Sequence, residues 1–170
     1  MPLLVALSLL SAPYQWNESE SPTVRSADEI LKVVHGSELP TVVHFWAAWC
    51  KECVQEPPEI SRLERSLKEL KAQLILVSLD KPASTSSSVL QHFGLGGSNV
   101  VALTLDAPDP SLITARFDSR WQAGLPATFV VLQSGAVAAS YLGHTPVSTV
   151  LEEVRNQINA GESPPARRTK

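Results

Sequence analysis

Thr41-Val42-Val43-His44-Phe45-Trp46-Ala47-Ala48-Trp49-Cys50-Lys51-Glu52-Cys53 is the stretch from which the fold of this chain can be read. A β-branched, apolar run ends in two tryptophans and a Cys-x-x-Cys, and a long charged amphipathic segment follows. That order reads as a buried strand, 41–46, feeding a helix with Cys50 in its first turn. A helix N-terminus presents unsatisfied N–H groups and a partial positive charge, which favours thiolate over thiol at Cys50. Cys50 is therefore the expected nucleophile. Cys53, one turn on and on the same face, is expected deeper, where it can close a disulfide and expel a bound partner.

Phe45-Trp46-Ala47-Ala48-Trp49-Cys50-x-x-Cys53 resembles the active-site signature of thioredoxin-like proteins. Its continuation, Cys53-Val54-Gln55-Glu56-Pro57-Pro58, is similar to the Cys-x-x-Cys-x-x-Glu-x-Pro pattern of extracytoplasmic TlpA/ResA-type thiol-disulfide oxidoreductases. Leu125-Pro126-Ala127-Thr128-Phe129 supplies the family's second motif, and the resemblance extends over about residues 23–158. It implies an α/β thioredoxin fold, a mixed central sheet flanked by helices. The interval between Cys53 and Pro126 exceeds that of small thioredoxins and fits an extra strand-helix insertion between the Cys-x-x-Cys helix and the proline loop. The capped helix expected at 26–35 is closer to thioredoxin itself than to the TlpA group.

The chain has 170 residues, enough for one domain with a real core. With 44% hydrophobic and 18% charged residues and a formal charge of -3, it lacks the basic field that nucleic acid requires. Only two cysteines occur, both in the motif. A disulfide-stapled scaffold and a four-cysteine zinc site are thereby excluded. His35, His44, His92 and His144 are not paired at metal-ligand spacing, so no metal is expected, and no bound cofactor is needed because the two sulfurs carry the electrons.

Residues 1–22 divide into an apolar run, Pro2 to Ala12, and a polar linker from Pro13. The run has the length of a signal-peptide core but no preceding basic residue. It is read as a leader or anchor remnant, export being implied by the resemblance and a cytoplasmic location the alternative. Ser26-Ala27-Asp28-Glu29 is a capping box before Ile30, Leu31, Val33 and Val34, with Gly36 as the helix stop. From Cys50 to Leu70 apolar residues recur at helical spacing, with a kink expected at Pro57-Pro58.

Leu74–Asp80 and Val100–Leu105 are further strands. Ser84–Phe93 is a short helix stopped by Gly94, and Asp109-Pro110-Ser111 opens another through Phe117. A hairpin with its turn at Gln133-Ser134-Gly135 and a final helix from Val147 to about Asn159 complete the domain at 23–159, leaving 160–170 as a polar tail.

Pro126 is expected to be cis by resemblance, leaving the Leu125 backbone to pair with an extended client segment beside Cys50. Trp46 and Trp49 flank the motif, where they pack the helix N-terminus and offer an apolar landing surface, Trp49 being expected over Cys50; Trp121 reads as a packing residue and Trp16 as part of the linker. Lys51 and Glu52 place opposite charges beside Cys50. Glu56 matches the family's acidic position, where it either tunes the cysteines or merely complements the helix dipole.

His44 stands where relatives commonly carry Asp, or Asn in the TlpA group. Strand alternation puts it on the Trp46 side, where a neutral imidazole could accept the Cys53 proton and a charged one would stabilise its thiolate; a plain buried histidine is equally compatible. Asp80 and Asp106 read as strand-end turn formers.

The expected function is thiol-disulfide exchange by a monomer; the resemblance implies client proteins, apocytochromes among them, and an upstream membrane thiol-disulfide donor as its partners. A redox-inactive binding module and a copper metallochaperone are the alternatives. Copper would call for further soft ligands, and the only methionine is Met1.

Overall fold

A computed structural model of the chain describes residues 23–162, apart from 83, 84, 86, 87, 89, 92, 93, 96–98 and 108. The leader 1–22, Trp16 and the tail beyond 162 lie outside the described residues, as do most of the serines between Lys81 and Leu90.

The strand 41–46 is realised as β2, Thr41–Trp46, with every residue buried. It owes this to its place at the middle of a six-stranded mixed sheet. In chain order the strands are β1 (Thr23–Arg25), β2, β3 (Gln73–Ser78), β4 (Val100–Leu105), β5 (Ala127–Val131) and β6 (Val137–Leu142). Across the sheet they run β1-β4-β3-β2-β5-β6. β2 pairs parallel with β3 and antiparallel with β5, so it has no solvent edge and no need for polar alternation. β4 is the extra strand inserted between β3 and β1, parallel to both.

Period-two alternation sorts the β2 side chains between two cores. Val42 and Trp46 face one side with Leu74, Leu76 and Val130, under helix α2 (Pro57–Glu69), which contributes Ile60, Leu63 and Leu67. The C-terminal helix Val147–Glu162 adds Val150, Leu151 and Val154 there. Val43 and Phe45 face the other side with Ile75, Val77 and Phe129, under α1 (Ala27–His35) and α3 (Ser111–Phe117). Phe45 meets Trp121 at 4.6 Å, Phe117 at 5.1 Å and Phe129 at 5.8 Å between ring centroids. This aromatic cluster backs the strand that carries the cysteine motif. Burying each such side chain contributes roughly 1.5–3 kcal/mol.

Local chemistry accounts for most boundaries. The Ser26–Glu29 capping box forms as read, with the Glu29 carboxylate accepting from the Ser26 N–H at 2.9 Å. Those hydrogen bonds with Ser26 hold the Glu29 carboxyl below its usual pKa. Gly36 closes α1 in right-handed conformation, φ −84°, rather than as a left-handed stop. Glycine is required there because a Cβ would lie 2.9 Å from the Lys32 carbonyl oxygen. The hairpin turn does use a left-handed glycine, Gly135 at φ 82°, packed against the His35 ring. Gly94 at φ 63° ends a helical segment through a Schellman pattern, Leu95 N–H to Leu90 O and Gly94 N–H to Gln91 O.

Three expectations need correction, and one strand joins them that the sequence does not announce. Cys50 to Leu70 is not one kinked helix: a turn and a 3-10 segment, Cys53–Gln55, precede α2, which starts afresh with Pro57 and Pro58 at its first positions. There the missing proline N–H groups cost nothing. β3 ends at Ser78 rather than Asp80, because Asp80 turns back to bond the motif loop. Thr23–Arg25, too short to show a period, is a strand on β4. The last helix, here α4, passes through Gly161, which keeps a negative φ, to Glu162.

Candidate active site

β2 delivers the motif to the end of the sheet, and the chain then turns sharply. Cys50 N–H donates to Ala47 O at 3.1 Å and Val54 N–H to Cys50 O at 3.2 Å, a single helical turn that brings Cys50 and Cys53 to a Cα separation of 5.2 Å. The two sulfurs are joined as a disulfide. They are not equivalent: the Cys53 N–H donates to Cys50 Sγ at 3.2 Å. A backbone donor aimed at one sulfur favours its thiolate when the bond is opened.

The expected contrast in exposure between the two is absent in this oxidised form, with Cys50 5% and Cys53 4% exposed. Trp49, next in sequence to Cys50, is 67% exposed. Lys51 and Glu52 are exposed next to it.

The Leu125–Pro126 peptide is cis, as expected. Ala127 pairs with Phe45 in the β2–β5 register, so Pro126 sits beside the end of β2 from which the cysteine loop leaves. Leu125 is half-buried and Pro126 buried. Pro126 O accepts from the Gly143 N–H at 2.8 Å, tying this loop to the β6–α4 connection.

Two acidic residues anchor the site. Asp80, 2% exposed, accepts the Ala48 N–H on both carboxylate oxygens at 2.9 and 3.0 Å, and the Ser78 hydroxyl on Oδ2 at 2.7 Å. It holds the loop two residues ahead of Cys50. Its strand-end position had marked it only as a turn former. Asp106 has the plainer strand-end role, its N–H donating to Arg25 O.

Glu56, 7% exposed, is no solvated first-turn carboxylate. Its N–H donates to Cys53 O at 3.2 Å, and its carboxylate is held between two histidines. His144 Nδ1 is 3.1 Å from Oε1, and His44 Nε2 is 3.5 Å from Oε2. Burial, the largest single influence, pushes the Glu56 carboxyl up. Contact with His44 and then His144 outweighs it, and the net position is below the usual value of 4.5.

His44 lies on the Trp46 side as alternation requires, 4% exposed, and lines a small pocket with Trp46, Cys53, Pro57 and Ile60. Its Nδ1 is 3.0 Å from Thr128 Oγ1, its direct cross-strand partner in the β2–β5 register. Both ring nitrogens are thus directed at Thr128 and Glu56. Glu56 Oε2 and Trp46 Nε1 are buried without a hydrogen-bond partner among the described residues.

His144 is the residue that sequence reasoning passed over. It follows Gly143, which turns at φ 97°, and its side chain remains 52% exposed while reaching Glu56. Nε2 is also 3.8 Å from Glu59 Oε2, and Glu59 in turn pairs with Arg62 at 3.5 Å. The fold therefore assembles Cys50, Cys53, Pro126, His44 and Glu56 in one place and adds Asp80, Thr128 and His144. Among the described residues no group of three or more His, Cys, Asp or Glu side chains is placed to hold a metal ion. No helix among them is long and apolar enough to cross a membrane.

Comparison with known proteins places these features in a context. The model of the AhpC/TSA family matches residues 24–140. The thiol-disulfide oxidoreductase ResA of Geobacillus kaustophilus is 26% identical over 96 residues, 56% of this chain and 49% of that protein. The chain spans about half the length of the curated relatives it matches. A secreted thiol-disulfide isomerase of Corynebacterium glutamicum superposes with TM-score 0.63 at 15% identity, over 75% of either chain. A secreted disulfide oxidoreductase of Mycobacterium tuberculosis homologous to E. coli DsbE gives 0.53 at 19% identity, over 69% of this chain and 81% of that one.

Proposed function

Given that the chain belongs to the AhpC/TSA family, we propose that it is a thiol-disulfide oxidoreductase of the TlpA/ResA type, acting outside the cytoplasm on the disulfides of client proteins. The observation that carries this is the Cys50–Cys53 disulfide set beside the cis Leu125–Pro126 peptide, with the Cys53 N–H turned on Cys50 Sγ.

In the reducing direction, Cys50 thiolate attacks one sulfur of a client disulfide. The client S–S bond breaks, a Cys50–client bond forms, and the other client sulfur leaves as thiolate. Cys53 then loses its proton and attacks Cys50 Sγ, so that the intramolecular disulfide forms and the client departs with two electrons and its second thiolate. A dithiol donor on the membrane would restore the reduced state. The exposed Trp49, with Lys51 and Glu52 around it, is the landing surface, and the Leu125 backbone is the edge to which an extended client segment adds. ResA-type relatives support the extracytoplasmic assignment, and clients of apocytochrome type follow from the same likeness.

Insulin reduction with dithiothreitol as donor tests the chemistry. The wild-type protein should accelerate precipitation of the insulin B chain and Cys50→Ser should not, while Cys53→Ser should accumulate mixed disulfides through Cys50. A folded wild type without acceleration would point instead to a binding module. Stoichiometric copper(I) uptake by the reduced pair together with inactivity on insulin would favour the metallochaperone. Recovery of the full-length chain from the cytosol would remove the location while leaving the chemistry.

A further inference from the structure

We propose that His144 is the solvent-side terminus of a proton path, His44–Glu56–His144, that carries the Cys53 proton out of the fold during release and returns it during reduction. The inference rests on the exchange chemistry proposed above and adds a residue to it that lies far from the motif in sequence.

The argument begins with a deficit. Cys53 is 4% exposed, and the pocket it shares with His44 and Trp46 is walled by Pro57 and Ile60, so bulk water is a poor acceptor for its proton. The thiol must nevertheless lose that proton before it can attack Cys50 Sγ.

The buried pair beside it has room for one. Glu56 sits one turn after Cys53, and its Oε2 has no hydrogen-bond partner among the described residues beyond the His44 contact at 3.5 Å. His44 cannot pass a proton onward by itself, since Nδ1 is committed to Thr128 and Nε2 faces Glu56. The outlet is the other carboxylate oxygen. Glu56 Oε1 is 3.1 Å from Nδ1 of His144, the one member of the array that is half-exposed.

The step balances as follows. The Cys53 S–H proton passes to Nε2 of His44, which lines the same pocket, and on to Glu56 Oε2, as the Cys53–Cys50 bond forms and the Cys50–client bond breaks. Rotation of the Glu56 carboxyl then presents that proton to His144 Nδ1, and the resulting imidazolium releases a proton to water from Nε2. The electron pair leaves with the client thiolate. In reverse, His144 draws a proton from water and Cys53 leaves the disulfide as a thiol.

The ionisable groups around His144 suit an exchanging group. Glu56 contacts Nδ1 from the head of α2. Glu59, one turn further along, stands 3.8 Å from Nε2 and is itself partly neutralised by Arg62. The Gly143 N–H to Pro126 O bond holds the loop in place, so His144 and the cis-proline loop share one support. His144 is thereby a positioning and proton-transfer residue at the rim of the client surface.

The test separates proton transfer from packing. In single-turnover reduction of a model disulfide, tryptophan fluorescence would follow formation of the Cys50–Cys53 disulfide, and iodoacetamide labelling would follow Cys50 attack. His144→Ala should slow release about tenfold at pH 7, toward the low end of general acid-base effects, and leave alkylation of Cys50 unchanged. Free imidazole should restore release in proportion to its unprotonated fraction, since the vacated site is solvent-open. His144→Gln, which keeps a polar contact to Glu56 without a titrating ring, should be equally slow.

Release at the wild-type rate in His144→Ala, or a loss that imidazole does not rescue, would overturn the inference. So would a His144→Gln variant as fast as wild type. Inactivity of the wild type would instead strike the exchange chemistry itself, so the two failures are distinguishable.

Discussion

Replacing Asp80 by Ala strips the cysteine loop of its anchor, and the cost can be worked from the contacts. Two donors lose their acceptor: the Ala48 N–H, bonded at 2.9 and 3.0 Å, and the Ser78 hydroxyl, bonded at 2.7 Å in a residue with no exposure. A hydrogen bond to a charged acceptor is worth about 1.5–3 kcal/mol, and a buried donor left unpaired costs about 1–3 kcal/mol. For the two donors the sum for Asp80→Ala is about 3–6 kcal/mol. For a chain of this size that corresponds to a fall in Tm on the order of 10 °C. Asp80→Asn retains one carbonyl acceptor for Ala48 but turns an N–H2 toward Ser78 Oγ, which already accepts from the residue 80 N–H at 2.9 Å. It should lose about 1–2 kcal/mol. Urea unfolding of the oxidised protein measures both, with the midpoint moving and the slope constant. A loss below about 1 kcal/mol in Asp80→Ala would refute the anchor, because it would mean that the loop finds other acceptors without strain.

Reduced protein should be alkylated by iodoacetamide first at Cys50, and at a pH below the usual thiol range, because Cys50 Sγ receives the Cys53 backbone N–H; peptide mapping that finds Cys53 modified first would reverse the assignment. Glu56 is held below its ordinary value, so it contributes stability that is complete above pH 4.5 and is lost as pH falls through its folded-state value. The stability gap between wild type and Glu56→Gln should therefore narrow on acidification below pH 4.5, and a constant gap from pH 7 to pH 3 in urea titrations would contradict this. Ser26→Ala should cost about 1 kcal/mol by opening the capping box, with amide exchange rising in the first turn of α1 and unchanged in α2.

The fold was legible because its decisive signals are local. Six consecutive buried positions in β2 announce a central strand, and Ser26 with Glu29 fixes the start of α1 within four residues. The failures are local too, where two local rules compete. Proline after a helical turn reads equally as a kink or as a fresh N-terminus. Here it is the second, since two successive prolines would forfeit two donors in a helix interior but none at its first positions. β1 escaped for another reason. Three residues carry no period, and the strand exists only because β4 offers it a parallel edge.

The site divides along the same line. Cys50, Cys53 and the cis Pro126 are legible because each belongs to a short motif, but the polar groups packed around them are assembled across the chain. His44 meets Thr128 over 84 residues and Glu56 meets His144 over 88. The first of these follows once a hairpin is aligned antiparallel to β2, since Thr128 then falls directly opposite His44. The second follows from no register, because His144 lies past the end of β6, in a loop whose path is set by the Gly143 bond to Pro126. A glycine, a histidine and a Thr-Pro before a helix carry no chemical signature of their own. What gives His144 significance is the buried carboxylate it reaches. That carboxylate can stay ionised in the core only if a cation or a polar hydrogen is brought to it from somewhere. A buried acidic residue beside a redox pair is thus a prompt to look for its partner at the loops that surround the cis-proline, however distant they stand in sequence.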